Sequence, residues 1–355
     1  MKKIFLILGM VCWAFQWGAA QTKNVDVDNL WFLYACREHP THPRDPVHFA
    51  YATRIHASSS AKNNLRMEGL QQALQIEGQV WTADESEAQM LLEVTLGDVV
   101  IKSSDVNERK AEVKDRAGKV TATNYYYTAV VVYTFEASCR ILAGDEEVTK
   151  GTFFSRSSNQ IYTSEEYTNR KSASDYWTNN REVLISGFYT RHAMEAARKV
   201  SEFASSHFGF PAKKNLRYAI KTIDEQKHVE NMSFRSAAET LKALLQSATP
   251  DELPDRARMG DLVDYFRTIP FKYADPKLKA DIRLRYAAYY NLCALYYYMD
   301  QPEKVAEYAD LLIANGHDPK DGERMKKDAA ALLAQFDKTG IRTRHFDPES
   351  YFRDN

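Results

Sequence analysis

Apolar positions follow two rhythms along this chain: every second residue in the first half, every third or fourth in the second. Met90, Leu92, Val94 and Leu96 alternate with Gln89, Glu93 and Thr95, which predicts a strand with one buried face. Tyr125, Tyr127, Ala129, Val131, Tyr133, Phe135, Ala137, Cys139 and Ile141 carry the same alternation further. A strand of that length is unusual, so a bend or bulge is expected near Tyr126. Gly144-Asp145 then predicts a turn into a partner strand over Glu147–Ser155. Upstream, the apolar run Asn29–Cys36 suits a buried strand and Phe49–Ala57 a second one. Ser58-Ser59-Ser60 offers N-caps for a helix over Ala61–Ile76, with Gly78 past its end. The charged stretch Asp105–Asp115 leads to an expected turn near Gly118. The strands from Met90 to Ser155 read as an antiparallel meander, with the helix over Ala61–Ile76 flanking it.

From Arg181 the period becomes helical. Met194, Ala197, Val200, Ala204 and Phe208 share one face, and Gly209 with Pro211 closes that helix. Beyond it, Phe234, Ala237, Ala238, Leu241, Leu244 and Leu245 form one amphipathic helix. Ile282, Tyr286, Tyr289, Cys293 and Tyr296 form another, and Val305, Ala309 and Leu312 a third. Asp318-Pro319 reads as an N-cap followed by proline at the first helical position, before a stripe of Met325, Ala329, Leu332 and Phe336. The fold class is therefore α+β: an N-terminal antiparallel sheet with flanking helices, then an all-α helical-hairpin domain. The expected domains are a signal peptide over 1–20, a sheet domain over 24–210, a helical domain over 211–340 and a C-terminal tail over 341–355.

The signal peptide rests on Lys2-Lys3, the apolar run Ile4–Phe15 and the small-residue exit Gly18-Ala19-Ala20, with cleavage expected before Gln21. That run is too short to span a bilayer, and no second long apolar segment follows. The expected location is periplasmic or extracellular, with outer-membrane association left open and no transmembrane segment after cleavage. Without residues 1–20 the chain loses two lysines and no acid, leaving 45 basic against 48 acidic residues. Nothing in that balance favours nucleic acid.

Tyr289, Leu292, Cys293 and Tyr296, with Val305, Ala309 and Leu312, resemble the two helices of a tetratricopeptide repeat, with Asp300 where that family often has Gly. Phe234, Ala237, Leu241 and Leu244 look like the second helix of another unit. Val305 and Ala309 depart from the family's preferences for Ala and an aromatic. The resemblance implies stacked hairpins with a concave protein-binding surface. The helix over 65–76, Glu87-Ala88 before Met90–Leu96, and the Tyr125–Ile141 strand are similar to the small α+β domain of periplasmic lipoproteins related to the curli secretion channel. The short signal on a Tyr-rich body resembles secreted proteins of gut Bacteroidetes.

Candidate chemistry is sparse. His39 and His42, beside Cys36, could share a metal, though Pro40, Pro43 and Pro46 make an ordinary loop the competing reading. Asp318, Asp321 and Glu323 lack the spacing of a calcium loop. Cys36 and Cys139 are a candidate disulfide, set against two buried thiols acting as small apolar groups. Motifs for hydrolysis (G-x-S-x-G, H-E-x-x-H, C-x-x-C) and a glycine-rich phosphate loop are missing. Ile161–Asn180 reads as a long aromatic surface loop, and its Tyr162, Tyr167, Tyr176 and Trp177 are candidate binding rings, as are Tyr289 and Tyr296 of the helical half. Packing of those rings within the fold is the competing reading. The expectation is a non-catalytic envelope protein that needs no cofactor and binds a protein partner through its helical domain. The alternative is a glycan- or peptidoglycan-binding module using residues 162–189.

Overall fold

Strand β1 (Val27–Arg37) is where the first apolar run leads, but one of its faces stays open: Phe32 and Tyr34 are buried, Trp31 and Leu33 exposed. The computed structural model describes residues 25–354; the expected signal segment lies outside them. The described residues divide into two compact units, one holding residues 25–39 and 212–354, the other Pro40–Pro211. This revises the expected 24–210 sheet domain, because β1 pairs with a strand after Pro211 and joins the helical core. Among the described residues no helix is long and apolar enough to cross a membrane.

The sheet unit opens with β2 (Ala50–Ala57). Ser58 caps the next helix as expected, its Oγ accepting the Ala61 N–H at 3.1 Å. The expected helix over 61–76 is in fact two, α1 (Ser59–Asn64) and α2 (Met67–Ala73). The missing helical turns are replaced by tertiary bonds: Ser201 and Ser205 accept the N–H groups of Gln75 and Glu77, each at 2.9 Å. Then follow β3 (Val80–Trp81), β4 (Met90–Leu96), β5 (Val100–Lys114), β6 (Val120–Thr134), β7 (Ala137–Ala143), β8 (Glu146–Phe154) and β9 (Gln160–Thr163). One sheet has the order β3-β2-β4-β7-β8, with β2 parallel to β3 and β4; the other has the order β5-β6-β9.

The long alternation from Tyr125 breaks at Phe135-Glu136, where the chain passes from one sheet to the other, rather than near Tyr126. The charged stretch from Asp105 is strand β5, and the turns at Gly118 (φ 81°) and Gly144 (φ 60°) stand where expected. Helix α3 (Arg170–Phe208) is 39 residues long and starts well before Arg181, within the segment expected to be loop. Asn169 caps it by accepting the Ser172 N–H at 2.8 Å. Its first turns carry Ser, Thr and Asn and bury little besides Ala173, so no apolar stripe announces them. Farther along, Ala193, Ala196, Ala197, Val200, Ala204 and Phe208 are buried in the core with Leu92, Val94, Phe135 and Ile141.

The helical unit continues with β10 (Ala212–Ile223), antiparallel to β1, then α4 (Asn231–Gln246), α5 (Arg256–Lys272), α6 (Lys279–Tyr298), α7 (Pro302–Ala314), α8 (Pro319–Thr339) and α9 (Pro348–Asp354). Consecutive helices from α4 to α8 pack against each other. Helix α6 is buried around most of its circumference, as a central helix must be. The expected tail beyond residue 340 is built into the unit. Ile341 and Phe346 are buried, Arg344 forms a buried ion pair with Asp300, and Arg344 O accepts the Arg37 N–H at 2.8 Å.

Two histidines seal that segment. His39 bonds Thr339 Oγ1 and the Thr343 carbonyl, both at 2.9 Å; His345 bonds the Thr249 carbonyl at 2.6 Å and the Tyr34 hydroxyl. Burial holds both below the ordinary histidine value, outweighing the carbonyl bonds and Asp300. Burial likewise lowers His48, His192, His228 and His317. Such a histidine takes up its proton more readily when the chain unfolds. Stability is therefore full above about pH 6.5 and is lost as the pH falls through that value towards the folded pKa. Urea midpoints should drop between about pH 7.5 and about pH 5, and the double change His39→Asn, His345→Asn should flatten the slope. A midpoint indifferent to pH over this range would refute the account.

Candidate binding groove of the helical unit

The groove is lined mainly by α6, β10 and α8 of the helical unit, with Asn29 and Trp31 of β1 and Val305 of α7 completing it. Along α6, Tyr290, Cys293, Ala294 and Tyr297 follow the spacing that puts residues on one helix face and line a cavity of about 340 Å³, the lower end of the usual ligand-pocket range. Strand β10 supplies Arg217, Ala219 and Lys221, and α8 supplies Asp321, Arg324 and Asp328. At the rim, the Arg217 guanidinium lies 4.4 Å from the centre of the exposed Trp31 ring.

Charge in the groove is organised around Asp321. It accepts the Tyr286 hydroxyl at 2.6 Å and Arg324 at 2.9 Å, and Lys221 Nζ stands 3.9 Å away. Burial by itself would raise this carboxyl; the hydrogen bonds and the two cations outweigh it and hold it below the usual aspartate value. Burial lowers the Lys221 ammonium, against the pull of Asp321. Lys221 is steadied by Asn29 Oδ1 at 2.9 Å and by the Tyr290 ring at 4.6 Å. Arg324 also donates to Tyr290 Oη at 3.3 Å and lies 3.7 Å from Asp328. With Arg217, three cations face two carboxylates, an excess of one positive charge. Such a lining suits an anionic group beside an apolar or aromatic one. Burial raises the Cys293 thiol, which keeps it protonated and unreactive.

The rings singled out in the sequence lie elsewhere. Tyr162, Tyr167 and Tyr176 do come together: the Tyr162 and Tyr176 hydroxyls are 2.9 Å apart, and the Tyr167 and Tyr176 rings 5.8 Å. Trp177 packs onto the small core of Val131, Tyr133 and Phe188. Burial, with the Tyr176 bond second, pushes the Tyr162 hydroxyl up to about 12. These rings pack helix α3 onto the strands. Tyr289 packs against the helical core, and Tyr296 stacks on Tyr308 at 5.4 Å, its hydroxyl held by Arg267 at 3.2 Å. The groove face of α6 is thus the one next to the expected face.

His39 is occupied by its two hydrogen bonds, and His42 stacks on His207 at 5.1 Å. Among the described residues no group of three or more His, Cys, Asp or Glu could hold a metal ion. Cys36 and Cys139 are both buried and free, the first in the helical core and the second in the sheet core, so the candidate disulfide is absent. Sequence reasoning missed Arg217, Ala219 and Lys221 because the region after Pro211 reads as wholly helical when its first residues are not weighed separately. Leu216, Tyr218, Ile220 and Thr222 alternate there and carry the strand signal.

No family model matches this sequence, and no curated protein matches it. Among solved structures, the chain is similar to a neuraminyllactose-binding hemagglutinin homolog from Helicobacter pylori, at 13% identity, 46% of this chain, 96% of that chain and a TM-score of 0.23. It is also similar to rare lipoprotein B from Shewanella oneidensis, at 11% identity, 43% of this chain, 95% of that chain and a TM-score of 0.19. At such values neither likeness bears on what this chain does.

Proposed function

We propose that this is a non-catalytic exported protein of the cell envelope whose helical unit binds a protein partner. The observation that carries this reading is the groove between β10, α6 and α8, with its aromatic floor and excess positive charge. The basic, apolar and small-residue order of residues 1–20 supports export. A photocrosslinking residue at position 31, on the groove rim, should give an adduct of discrete mass in the source cell. The same residue at position 232, in the same unit and 83% exposed, should not. Equal labelling at both positions, or none at 31, would remove the groove from the function.

A second reading, binding of a glycan by the sheet unit, gains support from another place than residues 162–189. A cavity of about 590 Å³ there is lined by Trp81, Glu68, Gln71, Gln72 and Gln75. An aromatic ring beside carboxamides and a carboxylate suits a sugar's apolar face and hydroxyls. A polysaccharide adduct from position 81 would favour it.

A further inference from the structure

The pairing of β1 with β10 determines which backbone groups of β10 are left at its free edge, beside the groove. Asp224 N donates to Asp26 O at 3.0 Å, one step beyond the register Val27↔Ile223 through Tyr34↔Leu216. In an antiparallel ladder, hydrogen-bonded and non-bonded pairs alternate. The pairs 28/222, 30/220 and 32/218 are therefore bonded, while 29/221, 31/219 and 33/217 point their N–H and C=O groups away from each other. Two side chains agree with this parity. Asn291 accepts the Lys221 N–H at 2.7 Å and donates to the Lys221 C=O at 2.8 Å, and Asn231 donates to the Ile223 C=O at 3.2 Å.

Asn291 thus acts on β10 as the C=O and N–H of one residue in a missing antiparallel neighbour would. Beyond it, towards the strand's start, Arg217 and Ala219, which also line the groove, turn their backbone groups to the same free edge as Lys221; among the described residues no strand pairs them there. The free edge ends at Asn215, whose φ of 60° breaks the extended course. What remains is a short window of alternating donors and acceptors. An anion offers acceptors alone and cannot satisfy it; an extended peptide offers both at the matching spacing. Side chains of such a strand alternate in direction, so every second one faces Arg217 and Lys221, where the groove's surplus positive charge lies.

We propose that the groove takes an extended peptide as a third strand on β10, bonded to the backbone of Arg217 and Ala219, with a carboxylate side chain set against Arg217 and Lys221. This deepens the groove reading above and rests on it. The probe is a library of end-blocked hexapeptides with one fixed Asp, beside a matched library with Lys in its place, screened against the full chain. A selected peptide is then N-methylated at alternate amides, one set at a time. The Asp library should enrich over the Lys library. Methylating the set that faces β10 should weaken binding about tenfold or more, and methylating the other set should leave it nearly unchanged. Ala219→Pro should weaken binding by a similar factor, because it removes an N–H that β1 does not use, the position at which a strand tolerates proline. Lys221→Met should erase the preference for Asp.

Tolerance of both methylated sets would overturn strand addition and leave a groove that reads side chains alone. No binding from either library would overturn it as well, while the adduct at position 31 separately decides whether a partner uses the groove. Homodimers crosslinked through position 31 would give the edge to a second copy of this chain, and so would also overturn the proposal.

Discussion

Asp300→Ala should cost the helical unit about 3–5 kcal/mol of stability, the usual penalty when one member of a buried ion pair is removed and its partner is stranded. Asp300 and Arg344 have side-chain exposures of 2% and 8%. The Asp300 carboxylate accepts the Arg344 backbone N–H and Nε, each at 2.7 Å, and the Thr343 hydroxyl at 3.0 Å. Arg344 also donates to the Tyr297 carbonyl at 2.6 Å, so the pair fastens the segment after Thr339 to the end of α6. Asp300 carries a second constraint, a left-handed φ of 57°. Asp tolerates that region better than Ala does. Asp300→Gly separates the two effects: it should recover about 1 kcal/mol of the loss through its backbone freedom and leave the ion-pair part in place. Urea unfolding of the three proteins gives the numbers, and limited proteolysis should show the segment beyond Thr339 becoming cleavable in both variants. Full recovery in Asp300→Gly would mean that backbone strain alone fixes this residue and that the buried pair contributes nothing.

Asp300 also marks the boundary of what residue patterns can convey. Its position after Tyr296 suggests a tight inter-helix turn, and the left-handed backbone is the physical content of that hint. Its partner Arg344 lies in a segment that looks like a polar tail, because an ion pair between distant residues leaves no periodicity. Burial patterns mark α4, the stripes of α7 and α8, β2, β4 and the hairpin at Gly144, since each buries one face and shows it in composition. Two elements obey the same rule and still escaped the sequence reading. Met259, Leu262, Val263, Phe266 and Ile269 recur at helical spacing and are buried in α5. The alternation of β10 is the other, and the groove goes with it. The start of α3 is different in kind: Tyr176 and Trp177 sit among serines and asparagines, and only the Asn169 cap and the strands beneath hold that stretch helical. The groove itself needs the fold, because Lys221, Asn291 and Asp321 are brought together by packing alone.

The second large effect lies where the chain changes sheets. Phe135→Ala should cost the sheet unit about 3–5 kcal/mol, a fall of roughly 6–20 °C in its thermal midpoint. Phe135 is 1% exposed, with Phe154, Tyr189 and His192 around its ring at 5.7, 6.3 and 5.7 Å. It stands between β6 and β7, and its ring is buried in the core that the β3-β2-β4-β7-β8 sheet shares with α3, among Leu92, Val94, Ile141 and Ala196. Tyr125 shares its phase in the alternation yet is 45% exposed, near the tip of the β5–β6 hairpin. Tyr125→Ala should change stability by no more than about 0.5 kcal/mol. The pair tests a general point about strands: alternation reports which way a side chain faces, and only the second layer of structure decides whether anything lies there to cover it. Equal costs at the two positions would mean that the hairpin tip is covered in solution. A small cost at Phe135 would mean that α3, which brings Tyr189 and His192 to the ring, closes onto the cavity the truncation leaves.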